Sequence, residues 1–315
     1  MNSKTNSIKI LLSVLFLSLA FAAGLKFETI YFRVIVPIAK QFRDNPSKTN
    51  KSPVPPSEYK ALDCPIDSIQ IVYFGQSNTA NWVKPKASLE YPANLVQYDW
   101  RTGKCYNYLE PLLGTDNKFG NVITYTAVKV AKNSDKPVIV IPFSRSPSSI
   151  LDWAYGYMSY QHQLILDSMK KNGLSPQIFI WHQGETDSKI DRNIERKFAL
   201  LPYLKNPDFG DFPGLTKESY QDALTQVYDR TVAVFPDAHF GIALVGTFCD
   251  EDPWEPVRDA QMTVIKSHQN TFLAADSDSI KGTENRHDGC HFTDVGASKM
   301  GNLYYESIAP ILKIQ

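Results

Sequence analysis

Five stretches of the chain are apolar without polar alternation: residues 69–74, 138–143, 178–181, 240–245 and 271–275. Nearly unbroken runs of this length, with only Gln70 and Thr271 as polar residues among them, suit strands buried on both faces of a parallel sheet. Between them, apolar positions recur at spacings of three and four. Residues 119–131, 158–169, 220–235, 255–268 and 294–312 follow this helical period. Gly173 follows the second of these and Pro236 the third, and both residue types end helices. Strands that alternate with helices predict crossover connections. The expected fold is therefore α/β, a three-layer α/β/α sandwich around a mostly parallel five-stranded sheet.

Upstream of the first strand the pattern changes. Lys4 and Lys9 precede an apolar stretch at 10–25, and Ala20-Phe21-Ala22 offers a small-x-small cleavage site. That is the layout of an export signal. Residues 1–25 are expected to be a signal peptide or, because 27–38 stays fairly apolar, a signal anchor in a membrane. Residues 26–56 follow as a membrane-proximal segment and a linker rich in Pro, Ser, Asn and Lys, too polar to pack. The folded domain is expected over 57–315, in an exported protein that is secreted or held by its N-terminal anchor.

Composition narrows the function. With 315 residues and 43% hydrophobic content, one large core can form. Lys plus Arg (33) balance Asp plus Glu (33), with no long run of either sign, so a nucleic-acid binder with a basic face is not expected. The four cysteines, Cys64, Cys105, Cys249 and Cys290, lack a CxxC pair and so do not suggest a zinc cage. They fit disulfides in an oxidising compartment, with three pairings open. Cys249 ends a strand and should emerge beside the loop that carries Cys290, which favours Cys249–Cys290 and leaves Cys64–Cys105.

In open α/β sheets, ligands bind outside the carboxyl ends of the strands. Three strand exits there carry chemistry: Ser77 after the first strand, Gln183-Gly184-Glu185 after the third, and Asp288 with His291 after the last. A serine hydroxyl needs a base to take its proton. His291 is the candidate base, and Asp288, three residues earlier, can set its tautomer. His287 is a rival base, placed next to Asp288 where a facing hydrogen bond is harder to make. Acyl transfer also needs donors for an oxyanion. Ser77 N–H, the Gln183 amide and a glycine N–H from Gly114 or Gly120 are available.

Four ordered motifs carry a resemblance. Gly75-Gln76-Ser77-Asn78, the segment WHQGETD at 181–187, DGCHF at 288–292 and VRDAQ at 257–261 resemble blocks of the SGNH hydrolases, whose fold is flavodoxin-like. More closely they resemble the sialate O-acetylesterase branch, carbohydrate esterase family six. Glu110-Pro111-Leu112, followed by Phe119-Gly120-Asn121, is similar to that branch's glycine segment. The resemblance implies Ser77 as nucleophile, His291 as base and Asp288 as its orienting partner. It implies an oxyanion hole of Ser77 N–H, Gly120 N–H (with Gly114 second) and Gln183. Gln76, Asn78, Glu185 and Trp153 are implied in substrate binding or loop support. The implied reaction removes O-acetyl groups from an acetylated carbohydrate, with no metal and no organic cofactor. The same triad could pass the acetyl group to another sugar hydroxyl, and a catalytically silent carbohydrate-binding domain is the remaining alternative. Two departures bear on substrate preference: Ser146-Pro147 stands where the branch has glycines, and a long insertion lies between Asp187 and Lys217, expected to be a packed flap.

Overall fold

The structure is a computed structural model that describes residues 55–188 and 215–314. The expected signal or anchor, nearly all of the expected linker and the core of the insertion after Asp187 lie outside the described residues. Eight strands form one sheet. They are β1 (Ala61–Leu62), β2 (Ile69–Gly75), β3 (Leu95–Asp99), β4 (Lys104–Asn107), β5 (Val138–Ser144), β6 (Ile178–His182), β7 (His239–Leu244) and β8 (Thr271–Asp276). Their order is β1-β4-β3-β5-β2-β6-β7-β8. Pairing is parallel from β3 through to β8, and antiparallel only for β3 with β4 and β4 with β1.

The five expected strands form one unbroken block, β5-β2-β6-β7-β8. The expected count of five is corrected to eight by three strands added beyond β5. Two of them, β3 and β4, carry polar residues that hide the strand pattern, and β1 is only two residues long. In β3, Gln97 and Asp99 are fully buried, and Gln97 Nε2 reaches the carbonyls of Asn107 and Leu109 at 3.1 Å each. A buried polar group with its hydrogen bonds made is tolerated in a sheet, but in sequence it reads as a loop.

Six helices occur among the described residues: α1 (Ile123–Lys132), α2 (Ile150–Tyr155), α3 (Tyr157–Lys171), α4 (Lys217–Val234), α5 (Glu255–Ser267) and α6 (Asp294–Leu312). Successive β2 side chains point to opposite faces. Ile71 and Tyr73 pack against α1 and α6, whereas Val72 and Phe74 pack against α2, α3, α4 and α5. This makes the expected three layers. Helix α1 starts later than the periodicity suggests, because Gly120 bridges to Val83 instead. Helix α2 was not expected from the pattern.

Strand β2 sits between β5, which precedes β6 in the chain, and β6 itself. The chain therefore crosses to one side of β2 and then to the other. Such a switch leaves a crevice outside the carboxyl end of the central strand, and Ser77 follows β2 there. Two disulfides, Cys64–Cys105 and Cys249–Cys290, match the favoured pairing. Both are compatible with an exported protein. Among the described residues no helix is long and apolar enough to cross a membrane.

Candidate active site

The nucleophile candidate is placed by the core. Strand β2 ends at Gly75 with φ +144°, and a Cβ there would run into the carbonyl of His182 on the neighbouring strand. Only glycine allows that approach. The Gln76 N–H donates to the same carbonyl at 3.2 Å, and the chain then turns through a short 3-10 segment, Ser77–Thr79. The backbone N–H groups of Ser77 and Asn78 have no acceptor among the described residues. Their flanking side chains are fixed. Gln76 Oε1 accepts from Gln183 Nε2 (3.1 Å) and from Thr186 N–H (3.3 Å). Asn78 Nδ2 donates to Glu185 Oε1 at 2.6 Å, and Tyr73 O–H donates to the Asn78 carbonyl at 3.0 Å.

The base candidate sits on a partly exposed loop between β8 and α6. The Asp288 carboxylate is 2.7 Å from His291 Nδ1 through Oδ2. Its Oδ1 accepts the backbone N–H of His291 (2.7 Å) and of Cys290 (3.0 Å). Partial burial alone would raise the Asp288 pKa, but the hydrogen bonds from His291 and its charge outweigh it and hold the carboxyl at about 2. Asp288 is thus ionised at neutral pH and accepts from Nδ1–H, which leaves His291 Nε2 as the proton acceptor. Three props hold this loop. Arg286, buried, donates to the carbonyls of Ile280, Ser277 and Cys290. The Cys249–Cys290 disulfide ties the loop to the segment after β7. The Trp82 ring stacks on His291, centroids 4.3 Å apart at 13°.

The two sides meet through their neighbours. Asn78 Nδ2 lies 3.4 Å from the Cys290 carbonyl, Lys84 N–H donates to the Phe292 carbonyl at 3.4 Å, and His287 Nε2 is 3.1 Å from the Trp82 carbonyl. Among the described residues no hydrogen bond joins Ser77 Oγ to His291. Catalytic hydrogen bonds are often long without substrate. His287, Asp288 and His291 together bring three potential metal-ligating atoms within 4.8 Å of one another.

Several expected roles change in this geometry. Gly120 N–H donates to the Val83 carbonyl at 2.9 Å, so it is not free for an oxyanion; Gly114 N–H has no acceptor among the described residues. Gln183 is fully buried, and its Nε2 is shared among Gln76 Oε1, the Ser148 carbonyl (3.0 Å) and Asp187 Oδ2 (2.7 Å). Its Oε1 accepts from Tyr220 O–H at 2.9 Å. Flipping the amide would face its oxygen toward three acceptors, so this orientation is fixed by chemistry. Gln183 is thus an internal tie between strand exits. Trp153 is fully buried, so it holds the loop after β5 through its indole N–H to Ser148 Oγ (2.8 Å) and cannot touch a bound sugar. Gln76 faces inward in the same way. Ser146 N–H is held by Asp116 Oδ2 at 2.7 Å.

Glu185 supports the nucleophile turn from beneath. Burial works against its charge, yet the neighbouring His182 ring and the Asn78 amide hold its pKa below the usual carboxylate range. His182 Nε2 lies 3.4 Å from Glu185 Oε1, an ion-pair distance that is not aligned as a hydrogen bond. His182 Nδ1 meets Tyr304 O–H at 2.7 Å. His182, fully buried, is a structural histidine. Neither Trp82 nor Arg286 was expected in the site from the sequence. Arg286 lies two residues before the DGCHF motif, whereas nothing local marks Trp82.

No protein-family model matches the chain, and no curated protein sequence is similar to it. Solved structures do resemble it. A protein from Arabidopsis thaliana superposes with a TM-score of 0.56 at 16% identity, covering 77% of this chain and 97% of that one. A carbohydrate acetylesterase from Xanthomonas citri gives 0.48 at 16% identity, over 76% of this chain and 56% of that one. NanS gives 0.47 at 13% identity, over 80% and 99%. The likeness to the Arabidopsis protein lies in the fold, which in this chain is the three-layer α/β/α arrangement expected from the sequence pattern.

Proposed function

We propose that the chain is a serine esterase that removes O-acetyl groups from a carbohydrate. The observation that carries this reading is the Asp288–His291 pair, set at 2.7 Å and fastened to the turn that bears Ser77. In this reading His291 Nε2 takes the Ser77 proton as Oγ attacks the acetyl carbonyl. Asp288 keeps the proton on Nδ1 and stabilises the imidazolium. The tetrahedral oxyanion faces the N–H groups of Ser77 and Asn78, which stand at the start of the turn without acceptors. The imidazolium returns its proton to the departing sugar oxygen. Water then attacks the acetyl-Ser77 with His291 again as base, and acetate leaves. Every group named belongs to the chain, and the reaction needs no redox partner.

The test is acetate release from a panel of acetylated glycans and from a chromogenic acetate ester. The intact chain should hydrolyse at least one of them, and Ser77→Ala should lose roughly 10⁴ to 10⁶ in rate without change in Tm. A Ser77→Ala variant as active as the parent would refute the reading.

A further inference from the structure

We propose that His287, Asp288 and His291 form a site for a divalent transition metal such as zinc, and that filling it switches the esterase off. His287 takes no part in the reaction above. Its Nε2 lies 3.1 Å from the Trp82 carbonyl. A carbonyl only accepts, so Nε2 carries the hydrogen and Nδ1 of the neutral ring carries a lone pair. That lone pair faces Asp288 Oδ2 at 3.7 Å. The same oxygen already accepts from His291 Nδ1 at 2.7 Å and carries negative charge. Two electron-rich atoms thus confront each other across a gap, and a cation between them turns the repulsion into attraction.

The donor set suits zinc. Imidazole nitrogen and carboxylate oxygen bind it at about 2.0–2.1 Å, and tetrahedral geometry then sets ligand atoms about 3.3 Å apart. The observed spacings of 2.7 and 3.7 Å straddle that value. The ligands are already tied to one another, because His287 N–H donates to the His291 carbonyl at 2.9 Å. The imidazole planes of the two histidines lie 27° apart with centroids 6.0 Å apart, so both rings can turn their Nδ1 toward a shared ion. Water fills the fourth position.

The consequence for activity follows from the tautomer and rests on the proposed function. Metal at His291 Nδ1 requires that nitrogen to give up its hydrogen. The proton passes through solvent to Nε2, and the ring stays neutral. Nε2–H can no longer accept the Ser77 proton. The metal therefore inhibits by fixing the wrong tautomer rather than by filling the substrate site.

The experiment uses the purified full chain after chelator treatment. Cobalt(II), added alone, should give a visible d–d band that zinc abolishes, in the parent and equally in Ser77→Ala. His287→Ala should weaken cobalt binding at least about tenfold, since losing even an outer partner of a ligand costs that much. His287→Gln serves as the second variant, because it can still donate to the Trp82 carbonyl but offers no ring nitrogen. Saturating zinc should lower kcat of the parent roughly 10³-fold or more, as wrong-tautomer serine hydrolases do, and chelator should restore it. Each His287 variant should keep its own metal-free rate at the zinc concentration that silences the parent. Absence of the cobalt band, or equal zinc inhibition in the His287 variants, would overturn the proposal. Cobalt binding is read without substrate, so a chain that binds cobalt but cleaves no ester refutes the function and leaves the site standing.

Discussion

The two halves of the candidate site are built differently. The Ser77 side is an extension of the core: Ile71 to Phe74 are buried, and Gln76, Asn78 and Thr79 are almost as deeply enclosed. Its position follows from strand packing and the close approach at Gly75. The Asp288–His291 side is a partly exposed loop, with the Asp288 side chain 41% exposed. No strand passes through it. It is held by a disulfide, a buried arginine and one stacked indole. The difference teaches that the candidate nucleophile is tied to the packing of the whole domain, whereas the candidate base depends on a few local fastenings. Mutation tests whether the base can be displaced while the domain stays folded.

The largest expected effect falls on the loop side. Asp288→Asn should lower kcat by about 10⁴, because the amide supports the wrong imidazole tautomer, and should lower Tm at neutral pH modestly while the domain stays folded. The same variant has a pH signature. The Asp288 pKa is depressed from 3.8 to about 2, so its stabilising effect is complete above about pH 4 and is lost as pH falls through 2. The stability difference between parent and Asp288→Asn should therefore shrink over that window, measured as Tm against pH. A difference that grows on acidification would contradict the pairing.

Next comes the core side. Gly75→Ala adds a Cβ against the His182 carbonyl at a φ that other residues rarely adopt. It should cost about 3 kcal/mol in denaturant unfolding. Here stability and activity should fall together, whereas in Asp288→Asn the loss of activity far exceeds the loss of stability.

The disulfides allow a matched test. Both close 41 residues of sequence, so chain-entropy arguments assign each the same stabilisation, roughly 4 kcal/mol before losses to strain. Replacing either pair with alanine should lower Tm by similar amounts. Only Cys249→Ala/Cys290→Ala should also lose activity at temperatures well below its own Tm. If both pairs lose activity only on unfolding, the loop is not independently mobile.

The smallest effect is at Trp82. Trp82→Ala should lower kcat about tenfold by freeing the His291 ring plane, since a small misplacement of a catalytic group carries a cost of this order or more. Trp82→Phe should recover most of the loss. A change confined to KM would instead make Trp82 a sugar-stacking surface.

What was legible in the sequence follows the same division. The five inner strands could be read because each is dominated by a run of apolar residues, and residues 294–312 form the helix that their period implied. The edge strands could not. Lys104–Asn107 is short and polar, and Gln97 and Asp99 make a strand of Leu95–Asp99 look like a loop. Among site residues, Ser77, Asp288 and His291 stand out because hydroxyl, carboxylate and imidazole follow strand ends. The oxyanion donors were harder. Gly120 and Gln183 have suitable groups, but only the fold shows that Val83 engages one, and Ser148 and Asp187 the other. The Trp82–His291 contact joins residues far apart in the chain and has no local pattern at all.

The Cys64–Cys105 bridge has a mechanical consequence. Cys64 lies five residues before Ile69, where the strand that leads to Ser77 begins. Tension arriving along the preceding chain would peel away β1, which is only two residues long. It would then reach a covalent stop. From there the load passes into β4, which is separated from β2 in the sheet by β3 and β5. The bridge acts as a strain relief, like the clamp on a cable, so that a tug on the leading segment is carried by the sheet's edge and the strand that leads to Ser77 stays slack.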